Sequence, residues 1–174
     1  MTSPVQTSYF HVCPVLLEEG AVIKPGNFGR VIEQYRVGNL SVMAVRELCF
    51  EIIRLRHYAA HPSRMSCLFL FHSLDTALQH VQRSAPTNVV YEVELTDPDA
   101  TLFHGDMSLI STTQPNEADP IIVFNMNLGA YYWSGRAVPP DEGSEFLTNS
   151  PARVIRMIDH RIEVSDLAAR IHGS

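Results

Sequence analysis

The pattern of hydrophobic and polar positions predicts short strands interleaved with two early helices. The clearest helix spans Ser41 to Ala60, because apolar residues recur there at steps of three and four and form one stripe. We expect this stripe to face the core; it comprises Val42, Val45, Leu48, Cys49, Ile52, Leu55 and Ala59. A second helix is predicted from Leu74 to Gln82, with Ser73 as its N-cap.

Strands are predicted on both sides of these helices. The apolar run Cys67 to Phe71 predicts a strand buried on both faces, and the alternation in Asn88 to Leu95 predicts a half-buried strand. Five shorter strands are predicted at Tyr9 to Val12, Ala21 to Lys24, Ile121 to Phe124, Ser144 to Thr148 and Arg153 to Ile158. We expect the last two to form a hairpin around Asn149-Ser150-Pro151. Without a regular βαβ rhythm, the order of elements favours the α+β class.

Three further segments are predicted to lie outside the regular strands and the two clear helices. The stretch KPGNFGR, Lys24 to Arg30, carries one proline, two glycines and one asparagine, and is predicted to be a loop. The polar stretch Thr96 to Ala118 is predicted to be a long irregular excursion. Asn127 to Gly135 is predicted to be an aromatic-bearing helix or turn.

Length and composition indicate a globular protein. A chain of 174 residues suits one domain over residues 1–174 and can bury a sizeable core. Hydrophobic residues at 45% and charged residues at 18% argue against wholesale disorder. The formal net charge of −6 argues against a basic nucleic-acid clamp.

The three cysteines, Cys13, Cys49 and Cys67, have no CxxC spacing, which favours a reducing compartment over a disulfide scaffold or a zinc site. No apolar run approaches ~18 residues, and the first residues, MTSPVQTS, lack the pattern of a signal peptide. The sequence therefore predicts a cytoplasmic protein with no membrane partner. Delivery into a host cell by another route stays open.

Common catalytic and metal-binding motifs are absent from the sequence. It has no GxxxxGK[ST], GxGxxG, HExxH or GxSxG motif. Among eight histidines, only His57 and His61 have helical spacing, and Pro62 ends that helix. We therefore expect no metal ion. Taken singly, His11 suits a strand histidine bonded to backbone, and Phe69 suits the core.

Four segments in sequence resemble motifs of ADP-ribosyltransferases, particularly the small rifampin-modifying type and related bacterial and phage proteins. The first motif is carried by Tyr9-Phe10-His11, Leu16-Leu17, Gly20, Ile23, Pro25-Gly26 and Gly29. FLFHSLDTALQHVQ, Phe69 to Gln82, is similar to the family's strand, "LD.A" and helix. NVVYEVELTD, Asn88 to Asp97, and SPARVIRMI, Ser150 to Ile158, resemble its following and last strands.

This resemblance implies a fold and an activity. The fold would be α+β, with two small sheets around an NAD cleft and flanking helices. The activity would be transfer of a single ADP-ribosyl group from NAD, as substrate, to a protein, nucleic-acid or small-molecule acceptor. We expect a macromolecular acceptor more than a small molecule.

The resemblance also implies site residues. Glu145, at the head of the EFL strand, would be the catalytic carboxylate, with Glu142 as the second candidate. His11 would lie in the NAD cleft and contribute to both binding and catalysis. The cofactor-binding residues would be His11, Gly29, Arg30, Arg64, Phe69, Tyr132 and Trp133.

The sequence departs from the family pattern at two positions. Val12 stands where the family often has glycine, and Phe69 stands where it typically has tyrosine. Phenylalanine can stack on nicotinamide but cannot donate a hydrogen bond. Two alternatives therefore stay open: an RNA 2′-phosphotransferase-like enzyme, which needs several basic residues at the cleft, and a non-catalytic module that binds a nucleotide or a partner.

Overall fold

The computed structural model describes residues 8–35, 41–85, 87–112, 119–136 and 143–158. These residues form seven strands: β1 (Tyr9–Cys13), β2 (Val22–Ile23), β3 (Leu68–Leu70), β4 (Val89–Leu95), β5 (Leu102–Asp106), β6 (Ser144–Thr148) and β7 (Ala152–Ile158). They also form five helices: α1 (Asn27–Glu33), α2 (Ser41–His57), α3 (Leu74–Ser84), α4 (Met107–Thr112) and α5 (Ile121–Trp133). The α+β class predicted from the sequence is confirmed.

The strands form two antiparallel sheets that meet at one residue pair. The sheets have the orders β1-β4-β7-β2 and β3-β6-β5. Between β1 and the end of β3, Phe10 and Phe71 exchange two backbone hydrogen bonds, each 2.8 Å. Within the described chain the ladder does not extend beyond this pair. We call this point the junction.

Three hydrophobic clusters fill the spaces around the sheets. The first lies between the two sheets, where Tyr91 and Val93 of β4 pack with Leu70 of β3. The second lies between the β3-β6-β5 sheet and the helix pair α2 and α5, and it includes Phe50 and Trp133. The third joins α3 to β4 and the junction; its buried members are Phe71, Ala77, Val81 and Val90.

The predicted hairpin between the last two strands is wrong. Both strands exist, but β6 pairs with β3 and β5, whereas β7 pairs with β4 and β2. The Asn149-Ser150-Pro151 turn therefore carries the chain from one sheet to the other. The Thr96 amide donates to the Pro151 carbonyl at 3.0 Å and fixes this crossing.

Three other predictions of local structure are also wrong. The predicted loop Lys24 to Arg30 contains the start of α1, which follows Gly26 at φ +96°. The predicted strand Ile121 to Phe124 is the first turn of α5. Its β-branched residues favour strands, but packing of α5 against α2 overrides that preference. The segment predicted to be irregular contains β5 and α4.

The apolar stripe of α2 points outward, so the prediction that it faces the core is wrong for most of its members. Leu48 is 64% exposed and Leu55 is 59% exposed; Val42 and Ile52 are exposed as well. The opposite face is buried instead, and it includes Glu47, Phe50, Ile53 and Arg54. Large apolar residues and paired charges on that face set the rotation of the helix.

This rotation predicts unequal costs of substitution on the two faces of α2. Phe50→Ala should lower the free energy of unfolding by about 3–5 kcal/mol, because Phe50 is fully buried in the second cluster. Leu55→Gln should change it by less than about 0.5 kcal/mol. Urea denaturation of both variants measures these costs. A Leu55→Gln cost as large as that of Phe50→Ala would show that the stripe is covered in solution.

Candidate functional site

The candidate site is built on the face of the β3-β6-β5 sheet that packs against α2 and α5. Phe69 pairs in register with Leu147, and Glu145 pairs with Gly105. Because side chains alternate along a strand, Glu145 and Leu147 share one face, and Leu147 lies in the second cluster. Glu145 is thereby directed toward the helices, where it is 4% exposed.

Arg64 and Tyr132 hold one oxygen of the Glu145 carboxylate. Arg64, on the approach to β3, donates from Nη1 in a short contact to Glu145 Oε1 and also to Tyr132 Oη at 2.9 Å. Tyr132 Oη donates to the same Oε1 at 2.8 Å. Among the described residues, we find no hydrogen bond to Glu145 Oε2. One oxygen is therefore held by two donors, and the other has no hydrogen-bond partner among the described residues.

Two further charges on α2 extend this network. Arg64 Nε donates to Glu47 Oε2 at 2.9 Å. Arg46 donates to the other oxygen, Glu47 Oε1, from Nε at 3.2 Å and from Nη2 at 3.0 Å. We call this set the buried ion-pair chain; it runs Arg46, Glu47, Arg64, Glu145. Its two cations and two anions cancel formally, which is how an interior can accommodate four charges.

The charges of the buried ion-pair chain also fix protonation states. Burial alone would lower the pKa of Arg64, but the carboxylates of Glu145 and Glu47 raise it well above its ordinary value. Burial raises the pKa of Tyr132 well above its ordinary value, and the negative charge of Glu145 raises it further. Arg64 therefore stays charged, and Tyr132 stays a neutral hydrogen-bond donor.

Aromatic rings surround the Arg64 guanidinium. Its central carbon lies 4.9 Å from the ring centroid of Phe69, 5.1 Å from that of Tyr132 and 5.8 Å from that of Phe28. The rings of Phe28 and Phe69 also contact each other edge to face at 5.1 Å. Cation–π contacts of this kind favour a charged guanidinium in a dry setting.

Two glycines permit the close approaches that this arrangement needs. A Cβ on Gly29 would lie 1.9 Å from the Met65 carbonyl oxygen, so α1 could not approach the Arg64 segment with a larger residue. A Cβ on Gly105 would lie 2.3 Å from Tyr132 Oη. Glycine at 105 is what lets the Tyr132 hydroxyl reach Glu145 across β5.

His11 lies beside the junction. Its Nδ1 is 2.9 Å from the Phe69 carbonyl oxygen and must donate to it, so the neutral ring leaves Nε2 as an acceptor. Burial lowers the pKa of His11, which favours this neutral form. Burial lowers the pKa of His80 of α3, and the charge of Glu145 opposes that shift.

The structure brings together most of the residues that the family resemblance assigned to the site. The connected residues are His11, Arg64, Phe69, Tyr132 and Glu145, and Gly29 of α1 lies against the backbone of Met65, next to Arg64. The peptide carbonyl of Phe69 binds His11, while its ring packs against Arg64. The connected residues come from four separated segments of the chain, and Gly29 comes from a fifth.

Two other assigned residues, Arg30 and Trp133, are not part of this connected group. Arg30 is exposed on α1, two residues from Phe28. Trp133 is fully buried in the second cluster, where its Nε1 donates to the Phe50 carbonyl at 2.9 Å. Glu142 lies outside the described residues.

Sequence reasoning missed Arg46, Glu47 and Phe28. Arg46 and Glu47 lie outside the apolar stripe of α2 that was predicted to face the core, and Phe28 fell in a predicted loop. One signal was present: Phe50 and Ile53, three and six residues after Glu47, are large apolar residues left outside the predicted stripe. They define a second stripe that includes Glu47.

A separate cavity of about 370 Å³ opens at the turn between β6 and β7. It is lined by small and polar residues, including Pro62, Asp97, Thr101, Asn149 and Pro151, and none of its lining residues is cationic. It therefore has no side chain that could neutralise a pyrophosphate. We locate the candidate site at His11 and Glu145 instead.

The described residues contain neither a cluster suited to a metal ion nor a helix suited to span a membrane. There, no group of three or more His, Cys, Asp and Glu residues is placed to hold a metal ion. None of the described helices has the length and apolar character needed to cross a bilayer.

Comparison with known proteins places the chain in a family. No curated protein matches the sequence. A family model described as "Protein of unknown function (DUF2441)" matches residues 8–160, a span that includes every described strand and helix. The chain therefore belongs to the DUF2441 family.

Proposed function

We propose that this protein binds NAD beside the junction and transfers its ADP-ribosyl group to an acceptor. One observation carries the proposal: His11, Arg64, Phe69 and Glu145, which the resemblance assigned from separate segments, form one connected group. Such convergence is expected of a site and is not required of residues that only stabilise a fold. The proposal gives a role to Glu145 Oε2, which has no hydrogen-bond partner among the described residues.

The contacts available around the junction suggest how NAD would bind. His11 Nε2 can accept a hydrogen bond from a ribose hydroxyl or from the nicotinamide amide. The ring of Phe69 offers a stacking surface. Arg64 is already bound by two carboxylates, so we assign the pyrophosphate to the exposed Arg30 on α1.

The chemistry requires charge stabilisation more than covalent catalysis. The bond between nicotinamide and ribose breaks, and nicotinamide leaves with the bonding electron pair. The positive charge that develops on the ribose would be stabilised by Glu145 through Oε2. A nucleophile of the acceptor then bonds to the anomeric carbon and loses its proton. The acceptor would be a protein, a nucleic acid or a small molecule, with a macromolecule preferred.

Thermal unfolding with NAD tests the binding half of this proposal. A ligand that binds only the folded state raises its stability by about 2.7 kcal/mol at 100 times its Kd, so NAD should raise the melting temperature. His11→Ala should weaken binding by about 1–3 kcal/mol, because it leaves a partner unpaired. His57→Ala, on the exposed part of α2, is the matched control and should bind NAD normally.

The same measurement can refute the proposal. If millimolar NAD leaves the melting temperature of folded wild-type protein unchanged, NAD is not the ligand. If His11→Ala loses stability but keeps its NAD affinity, His11 is a structural histidine.

A second candidate function is a non-catalytic module that binds NAD or another nucleotide. It is favoured by the ion pair between Glu145 and Arg64, which reduces the charge available to a substrate, and by Phe69 in place of tyrosine. Binding of NAD by wild type without any turnover would support it. The phosphotransferase alternative is less favoured, because Arg46 and Arg64 at this site are both paired with carboxylates.

A further inference from the structure

We infer that Glu47 is a positioning residue for Glu145: acting through Arg64, it fixes which carboxylate oxygen of Glu145 faces a ligand. This inference rests on the proposed function, because it concerns the use of Glu145 toward NAD. No motif of the sequence pointed to Glu47. It is deduced from the contacts of the buried ion-pair chain.

The Glu47 side chain is buried and held in one orientation. It lies near the middle of the 17-residue helix α2 and is 1% exposed. Both of its carboxylate oxygens are occupied, one by Arg46 and the other by Arg64. A carboxylate held on both oxygens within a packed helix has little freedom to reorient.

Arg64 transmits this constraint to Glu145. A guanidinium is planar and rigid, so holding its Nε at Glu47 also determines where Nη1 points. Nη1 then reaches Glu145 Oε1 and Tyr132 Oη together. The surrounding rings of Phe28 and Phe69 restrict tilting of the plane.

Removing the charge of Glu47 should change how Arg64 binds Glu145. With one carboxylate left, the guanidinium gains most from a bidentate contact that uses both carboxylate oxygens. That contact would occupy Glu145 Oε2, which has no hydrogen-bond partner among the described residues when Glu47 is present. The negative charge of Glu145 would still be present but would no longer be directed at a substrate.

Steady-state NAD hydrolysis, with water as the acceptor, tests this inference. Glu47→Gln should lower kcat by about 10- to 100-fold, by analogy with the loss of residues that orient the ligands of a metal site. KM for NAD should stay within about twofold, because His11 and Phe69 are untouched. The matched control is Glu51→Gln, one turn along α2, whose partners are Arg54 and Ser63. It should retain wild-type kcat.

A second variant and a structural measurement cover the case in which Glu47→Gln folds poorly. Arg46→Gln frees only Glu47 Oε1 and should lower kcat in the same direction, by a smaller factor. A crystal structure of Glu47→Gln should show Arg64 bound to both oxygens of Glu145. For a poorly folding Glu47→Gln, the structure of Arg46→Gln should show Arg64 drawn toward the released Glu47 carboxylate and its contact with Glu145 Oε1 weakened.

The outcomes separate the two proposals. Wild-type kcat in Glu47→Gln, with active wild type, would overturn the positioning role and leave the proposed function standing. Wild type that neither binds nor hydrolyses NAD would refute the proposed function. In that case the crystal structure of Glu47→Gln still tests the positioning role. If Arg64 in that structure does not contact Glu145 Oε2, the inference is overturned.

Discussion

Glu145→Gln should reduce the turnover of NAD on the order of 10²–10³-fold while leaving NAD affinity nearly intact. The reason is that a carboxylate stabilises the cationic transition state far more than bound, uncleaved NAD. Glutamine keeps the shape of the side chain and the acceptor for Tyr132 but removes the charge. Initial rates of hydrolysis, or of transfer once an acceptor is found, measure the effect.

The comparison needs a second carboxylate from the same region. Glu142→Gln is suitable, because the resemblance made Glu142 the competing candidate, and its rate should fall less. Circular dichroism should verify that both variants are folded, since Glu145→Gln also leaves Arg64 with one carboxylate. Wild-type rates in Glu145→Gln would eliminate Glu145 as the catalytic carboxylate. Wild type that binds NAD without turnover would favour the binding module.

Arg64→Met should be among the most destabilising single substitutions in the described chain, lowering the free energy of unfolding by about 3–5 kcal/mol. The substitution removes the cation between Glu47 and Glu145 and leaves two buried carboxylates close together. Urea denaturation measures the loss. The control is Arg156→Met, whose ion pair with Glu92 is exposed and should contribute no more than about 1 kcal/mol.

A combined variant tests the physical cause of that loss. If the stranded charges are responsible, adding Glu47→Gln and Glu145→Gln to Arg64→Met should recover much of the lost stability, because neutral residues tolerate burial better. If the triple variant is less stable than Arg64→Met alone, the hydrogen bonds of the buried ion-pair chain matter more than its charges.

The sequence was most informative where local periodicity and capping agree. The alternation in Asn88 to Leu95 predicted β4, although Val90 is buried on the opposite face as well, and Ser73 caps α3 by accepting from the Thr76 amide at 3.2 Å. Both elements are therefore confirmed. Which strands pair could not be predicted in the same way, because nothing in Ser144 to Pro151 distinguishes a hairpin turn from a crossing between sheets.

The rotation of α2 illustrates why a helix can be predicted while its buried face is not. Leu48 and Leu55 make a regular apolar stripe, whereas Glu47 looks like a solvent-facing residue. Glu47 is buried because Arg64, 17 positions later, pairs with it. A contact between distant segments leaves no periodic signal in either segment.

The candidate site, too, could be predicted only in part from the sequence. The resemblance selected His11, Phe69 and Glu145, and the structure places all three in one connected group with Arg64. The contacts that hold Glu145 involve Tyr132, and they depend on Gly105, a position without any side chain to mark it. The segment Asn127 to Gly135 was predicted to be a helix or turn, and α5 includes most of it. The first turn of α5 was missed because its residues, Ile121 to Phe124, are typical of strands.

The junction at Phe10 and Phe71 has a mechanical consequence. Two hydrogen bonds are the whole of the described backbone pairing between the sheets, so the backbone sets their point of contact but not the angle between them. That angle is set by side-chain volumes in the first cluster, such as Tyr9, Leu70 and Tyr91. Substitutions in this cluster should therefore change the angle between the sheets, and with it the position of His11 on β1 relative to Glu145 on β6, without touching a ligand.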